Sequence, residues 1–163
     1  MFVETSKMHI ITRYAGLTDL ETLLEFEQGI INTERAFDPT IKRSHTHYYD
    51  LKGMITSDNT VLVIAELNKE IIGCGYALIE NAKSCFEYLQ YSYLGFMYVK
   101  PEHRGKGVNK KIIEALKQWS LSKNIHELRL EVYCDNIAAI KAYEKVGFSK
   151  LFVTMRMEVN DET

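Results

Sequence analysis

Apolar and polar residues alternate along this chain at two periods, and the switches between them outline its elements. The run Met8 to Tyr14 predicts a first strand, closed by Ala15-Gly16. Thr18 or Asp19 can cap a helix reaching about Glu34, with Leu20, Leu23, Leu24, Ile30 and Ile31 on its apolar face and Phe26 off the stripe. Asp38-Pro39 breaks that helix, and a second one is expected from Tyr48 to Ile55, after the polar stretch Lys42 to His47. Ser57-Asp58-Asn59 turns the chain into Thr60 to Leu67, a strand rich in β-branched residues. Asn68-Lys69-Glu70 then makes a hairpin with Ile71 to Ile79, where Gly73 and Gly75 mark close packing. A polar turn at Asn81 to Ser84 leads to a long strand, Phe86 to Val99, in which Gly95 predicts a bulge or bend.

Beyond that strand the period changes to helical, with Ile112, Leu116 and Trp119 spaced along a helix from Val108 to about Lys123. Leu128 to Tyr133 alternates, placing Leu128, Leu130 and Val132 on one face and Arg129, Glu131 and Tyr133 on the other. Asp135-Asn136 opens a last helix ending at Gly147, with Phe148 folding back on it, and Lys150 to Val159 reads as a terminal strand. The order β-α-α-β-β-β-α-β-α-β predicts an α/β (α+β) fold, one mixed sheet flanked by helices.

A length of 163 residues is that of one domain, and 46% hydrophobic with 26% charged residues makes it globular. The net charge of −2 offers no general attraction to nucleic acid or an acidic membrane. No apolar run approaches the roughly 18 residues of a membrane span, and Met1 to Lys7 has neither the basic start nor the apolar stretch of a signal peptide. Cys74, Cys85 and Cys134 suit a reducing, cytoplasmic setting and are expected as buried free thiols.

Chemistry is concentrated at the junction Val99 to Lys111, where a strand feeds a glycine-rich loop that opens a helix. The first amides of such a helix have no partner within it, and the macrodipole is positive there. Gly105 and Gly107 let backbone approach a ligand, and Lys100, Arg104, Lys106, Lys110 and Lys111 are opposed locally by Glu102 alone. The expected ligand is a polyanion, above all a diphosphate. The dinucleotide fingerprint fails because Lys110 stands where its third glycine belongs, and the P-loop spacing is absent.

What fits is Arg-x-x-Gly-x-[Gly/Ala], as Arg104-Gly105-Lys106-Gly107-Val108-Asn109. This resembles the coenzyme A loop of the GNAT superfamily of N-acetyltransferases, with Asn109 departing from the usual Gly or Ala. A second segment is similar to the superfamily's N-x-x-A-x-x-x-Y-x-x-x-G-F, matching at Asn136, Ala139, Tyr143, Gly147 and Phe148. Asn136 and Tyr143 lie about two helical turns apart and project to one side. The resemblance covers about residues 60–148; the first sixty match only in element order.

The resemblance implies a single N-acetyltransferase domain over residues 1–163, with an acetyl-CoA-binding core at about 60–148. Its sheet would be mixed, mostly antiparallel and six- to seven-stranded. It implies acetyl transfer from acetyl-CoA to a primary amine of a small molecule or protein by direct attack. Backbone groups at Met97, Tyr98 and Val99, along an open strand edge, would position the donor. Arg104, Gly105, Lys106, Gly107, Val108, Asn109 and Lys110 would hold the pyrophosphate, and Asn136 would contact the coenzyme arm. Tyr143 would protonate the departing thiolate, the alternative being an aromatic packed on the helix's buried face.

An ammonium acceptor must lose a proton before it attacks. Glu131 is the candidate base, its alternative an ion pair with Arg129; Glu87, acting through a water, is a second candidate. Only residues 149–163 follow Phe148, too few for the long hairpin of peptide-binding members. The acceptor pocket is therefore expected from Glu34 to Tyr49 and from Phe86, Tyr88, Tyr91 and Tyr93. His45 and His47 read as a solvated polar loop, with no third ligand for a metal, so none is expected. The rival readings are a non-catalytic acyl-CoA-binding sensor and nucleic-acid binding through the basic loop, the latter disfavoured by the acidic balance. A homodimer stays open.

Overall fold

The computed structural model describes residues 9–159. Met8, and the stretch Met1–Lys7 read above for a signal, lie outside the described residues. The chain packs as two compact units, with the boundary between Glu131 and Val132.

The first unit is built on a five-stranded sheet in sequence order: β1 (Ile11–Tyr14), β2 (Thr60–Leu67), β3 (Glu70–Asn81), β4 (Gln90–Val99) and β5 (Leu128–Leu130). Neighbours are antiparallel except β4 and β5, which run parallel. The sheet is mixed as expected, with five strands rather than six or seven. β4 starts at Gln90 and not at Phe86, because β3 ends at Asn81 and its partner there is Gln90. Residues 82–89 thus make the connection, leaving Phe86, Tyr88 and Leu89 exposed. The β2–β3 turn uses Asn68 and Lys69 at φ 52° and 70°, the left-handed pair whose twist suits a two-residue hairpin.

Helices cover both faces of this sheet. On one, α1 (Leu20–Glu34) and α2 (Leu51–Thr56) contribute Leu23, Phe26 and Leu51 to a core with Leu62, Ile64, Cys74, Tyr76 and Phe96. Each such side chain contributes about 1.5–3 kcal/mol by burial. Phe26 lies on the buried stripe of α1, three residues after Leu23, and it is Leu24 that points outward. On the other face, Val108 and Ile112 of α3 (Val108–Ser122) come within 3.2 Å of where a Cβ on Gly73 would stand, and only glycine permits that approach. A buried polar pair fastens α3 to β4: Ser120 Oγ donates to Ser92 Oγ at 2.7 Å.

α2 begins at Leu51, after the Asp50 side chain accepts from Gly53 N–H at 3.0 Å, and not at Tyr48. The amides of Tyr48 and Tyr49 are held instead by Glu27 of α1, which keeps that stretch out of the helix. All three cysteines are free, but only Cys74 is buried; Cys85 and Cys134 are exposed, since neither lies on a core-facing position of an element. Among the described residues no helix is long and apolar enough to cross a membrane.

The second unit contains α4 (Ile137–Lys145). Asn136 caps it, its Oδ1 accepting from Ala139 N–H at 3.2 Å. At the far end Phe148 N–H donates to Tyr143 O and Gly147 N–H to Glu144 O, both at 3.1 Å, with Gly147 at φ 106°. These two bonds and the Tyr143–Phe148 ring contact, at 6.0 Å between centroids, form a Schellman end. No strand covers 150–159 among the described residues: Leu151, Val153, Met155, Met157 and Val159 are 69% to 91% exposed. Alternation states which side chains would share a face, but it supplies no neighbour with free peptide groups to pair with.

Candidate active site

The edge of β4 opens midway along its length. Its ladder with β5 runs from Ser92–Leu128 to Leu94–Leu130 and stops. Just beyond, β4 carries an extra residue against β3, a bulge marked by Phe96 at φ 53°. From there Tyr98 registers with Cys74, and Lys100 N–H donates to Ile72 O at 2.9 Å, so both of these residues turn their peptide groups toward β3. By alternation Met97 and Val99 face the open edge. Tyr98, expected on that edge, is therefore excluded from it by its place in the β3 ladder. The Val99 carbonyl accepts from Arg104 Nε at 3.0 Å.

β4 leads through a 3-10 turn, Pro101–His103, into Arg104 and the glycine loop. Gly105 and Gly107 take φ 73° and 82°, and Gly107 is the cap residue of α3. Such angles favour glycine, since a Cβ would crowd the following carbonyl oxygen. Lys111 N–H is the first amide bonded at this end, to Gly107 O at 3.2 Å. Among the described residues the amides of Gly105, Lys106, Gly107, Val108, Asn109 and Lys110 have no hydrogen-bond partner. No acidic residue stands in the first turn of α3.

The cations are arranged differently from a simple basic cluster. Arg104 and Lys106 fold back on the loop's own carbonyls, Lys106 Nζ donating to Glu102 O at 2.7 Å, and Lys100 pairs with Glu70. Lys110 and Lys111 remain exposed. Arg104, Lys106, Lys110 and Lys111 keep their charge there, only Lys100 being paired with a carboxylate among the described residues, and they add to the aligned amides and the helix terminus, a geometry that suits a diphosphate.

On the α1 and α2 face, the same fork is lined by tyrosines and carboxylates. Residues directly opposite on neighbouring strands share a face, so Leu78, Glu80, Tyr91 and Tyr93 project together with Tyr76. Ring centroids of Tyr49 and Tyr76 lie 5.6 Å apart, those of Tyr76 and Tyr93 6.4 Å. Tyr76 reaches across Gly95, where an added Cβ would sit 2.5 Å from its hydroxyl. Burial, then the charges of Glu80 and Glu131, push the Tyr76 phenol up to about 12. Burial raises Glu34 above the usual carboxylate range, against a lowering hydrogen bond from Tyr48.

The expected site residues are therefore distributed over the two units. Met97, Val99, the glycine loop and Glu131 belong to the first; Asn136 and Tyr143 belong to the second, where one caps α4 and the other enters its Schellman end. Glu131 is not paired with Arg129, whose Nε donates to Glu127 Oε1 at 2.7 Å while its guanidinium stacks on Tyr91 at 4.1 Å. Glu87, Phe86 and Tyr88 are exposed in the β3–β4 connection. His45 and His47 form more than a solvated loop: His47 Nδ1 meets Glu27 Oε2 at 2.6 Å, and the two Nε2 atoms lie 3.1 Å apart. Glu27 is wholly buried and its other oxygen takes the Tyr48 and Tyr49 amides at 2.7 and 2.9 Å. The sequence reading missed Tyr76, Glu80 and Glu27; the period-2 alternation of Tyr76, Leu78 and Glu80 in an otherwise apolar strand was the available signal for the first two.

The profile of the acetyltransferase (GNAT) family matches residues 28–148. The streptothricin acetyltransferase of Escherichia coli is 40% identical over 70 residues, which is 40% of either chain. The chain spans only a quarter to two fifths of the length of the first curated relatives it matches. Among solved structures, a Bacillus halodurans protein superposes with a TM-score of 0.80 at 17% identity, covering 91% of this chain and 99% of that one. A predicted acetyltransferase of Clostridium acetobutylicum, solved with acetyl-CoA, gives 0.71 at 18% identity over 92% and 96%. At such identities the likeness is one of fold.

Proposed function

The chain belongs to the GNAT acetyltransferase family, and we propose that it transfers the acetyl group of acetyl-CoA to a primary amine by direct attack. One observation carries this reading: six unbonded amides, Gly105 to Lys110, ring the positive end of α3 beside a β4 edge that β5 has left. That arrangement fits a diphosphate followed by an extended, amide-bearing arm. Gly105 to Lys110 would hold the diphosphate, Met97 and Val99 the arm along the strand, and Asn136 a further point on it. The neighbour solved with acetyl-CoA and the relative named for streptothricin acetylation support donor and acceptor class respectively.

In the reaction the neutral amine nitrogen bonds to the thioester carbonyl carbon, the C–S bond breaks, and sulfur leaves as thiolate. Glu131 takes a proton from the ammonium acceptor before it attacks, Tyr143 supplies one to the sulfur, and the nitrogen, cationic once bonded to carbon, gives its second proton to the tyrosinate. Most of the rate gain would come from orientation, which can be worth several kcal/mol. Tyr143→Phe should lower kcat about a hundredfold or more, as loss of a general acid does, with coenzyme affinity within about twofold. Thiol release followed with acetyl-CoA and an amine panel reads this directly. A full rate in Tyr143→Phe would remove that residue from the mechanism. Tight coenzyme binding without release for any amine would mark a binding domain instead.

A further inference from the structure

Resting on that reading, we propose that the acceptor is a polycationic amine, carrying at least two ammonium groups, seated at the fork of β4 and β5 among Glu34, Glu80, Glu131, Tyr76 and Tyr93. The first unit gathers these groups from α1, β3, β4 and the residue that follows β5. Glu80 sits across from Tyr91, which donates to its Oε2 at 2.8 Å, and Tyr93 lies two residues further along the same strand. Tyr93 is also in register with Arg129 of β5, two residues before Glu131.

The charge is unbalanced there. Glu34, Glu80 and Glu131 form no ion pair with any described residue, and the guanidinium on the same face, Arg129, is already taken by Glu127. Burial first, then Glu131, Tyr76, Glu80 and Glu34, hold the Tyr93 phenol well above the ordinary tyrosine range, so all three carboxylates act on one point.

Tyr76 is a second and separate sign of a ligand. It is only 7% exposed, yet its hydroxyl bonds to no described residue. That hydroxyl reaches over Gly95, one residue beyond the last β4–β5 pair, where the donor edge begins. The ring is packed away while the hydroxyl oxygen keeps an opening and no partner among the described residues, so a ligand can supply the bond, and an ammonium donor does so. The reacting nitrogen would face the fork, while a second cation rests between the rings and the remaining carboxylates, an environment that suits cations by charge and by π-face alike. A second ammonium in such contact is worth about tenfold or more in affinity.

The test compares 1-aminobutane, 1,4-diaminobutane and spermidine as acceptors, with saturating acetyl-CoA in an amine-free buffer, by initial rates of thiol release. The expected result is a kcat/KM at least about tenfold higher for the diamine than for the monoamine, higher again for spermidine, with the preference shrinking at high salt as exposed charges are screened. Glu80→Gln and Glu34→Gln, nearly isosteric and checked for folding by circular dichroism, should each narrow the preference several-fold. Equal efficiency for mono- and polyamines, or a preference unchanged in both variants, overturns this inference alone. No release with any of the three amines overturns the transferase reading beneath it.

Discussion

The two sides of the fork in β4 are made from different material. On the α3 side the contacts offered are peptide N–H groups, fixed by two glycines at positive φ and by the start of a helix. On the α1 side they are side chains, drawn from α1, β3, β4 and the end of β5 and packed ring against ring. A backbone site depends on dihedral angles and tolerates most side chains around it. A side-chain site depends on which strands lie next to each other, and changing one carboxylate changes what it accepts. On the proposed reading the donor is held by backbone and the acceptor is set by a few side chains.

The contrast breaks most sharply at Gly107. A β-branched residue at φ 82° costs more than the roughly 1–2 kcal/mol that a left-handed angle costs an ordinary side chain. Gly107→Val should weaken coenzyme A binding at least about a hundredfold by calorimetry while leaving the circular dichroism spectrum unchanged. Undiminished affinity would mean that the diphosphate sits elsewhere. Next comes Glu131→Gln, expected to lower kcat/KM for the amine about thirty- to a hundredfold, the scale of a lost general base, with coenzyme affinity untouched. If both fall together, the two sides are not separable.

Smaller effects sharpen the comparison through stability. Glu27→Ala removes a wholly buried carboxylate and takes the partner from the Tyr48 and Tyr49 amides and from the half-exposed His47, so the melting temperature should drop by about 6–9 °C, from a loss of about 2–3 kcal/mol. An unchanged melting temperature would show that Glu27 does not anchor residues 47–49. Glu34→Gln should act the other way. Burial raises the Glu34 carboxyl above its ordinary value, so the folded state holds that proton more tightly than the unfolded chain. Stability is then lost as pH rises from the ordinary carboxylate value through the raised one. At pH 8 the variant should therefore melt higher than the parent, and the gain should vanish at pH values below the ordinary carboxylate range. A higher melting temperature with a poorer polyamine preference would mark this as a site that trades stability for binding.

Local physics made one side readable in advance. Gly105 and Gly107 occupy the left-handed region because the chain must turn there, and a turn of that kind leaves its signature in a few consecutive residues. The second motif was readable for a related reason: Asn136 is an N-cap, and Tyr143, Gly147 and Phe148 occupy the positions of a Schellman end. Its spacing records how α4 starts and stops, whatever else those side chains do. The errors share the opposite cause. Extending α2 back to Tyr48 overlooked a carboxylate on α1 that claims two amides some twenty residues away. Starting β4 at Phe86 overlooked where β3 ends, and placing a strand at 150–159 took alternation for pairing.

What the sequence determined by itself was the kind and order of elements as far as α4, the glycine mouth of α3 and the ends of α4, because each is decided by bonds and torsions within a few residues. Only the tertiary structure decided that Tyr98 turns to β3 while Met97 and Val99 face the open edge. It alone brought Glu34, Glu80 and Glu131 together around Tyr93 and left the Tyr76 hydroxyl without a partner. Those outcomes depend on register, bulges and the packing of distant segments, where free energy is set by contacts between residues that no local pattern connects.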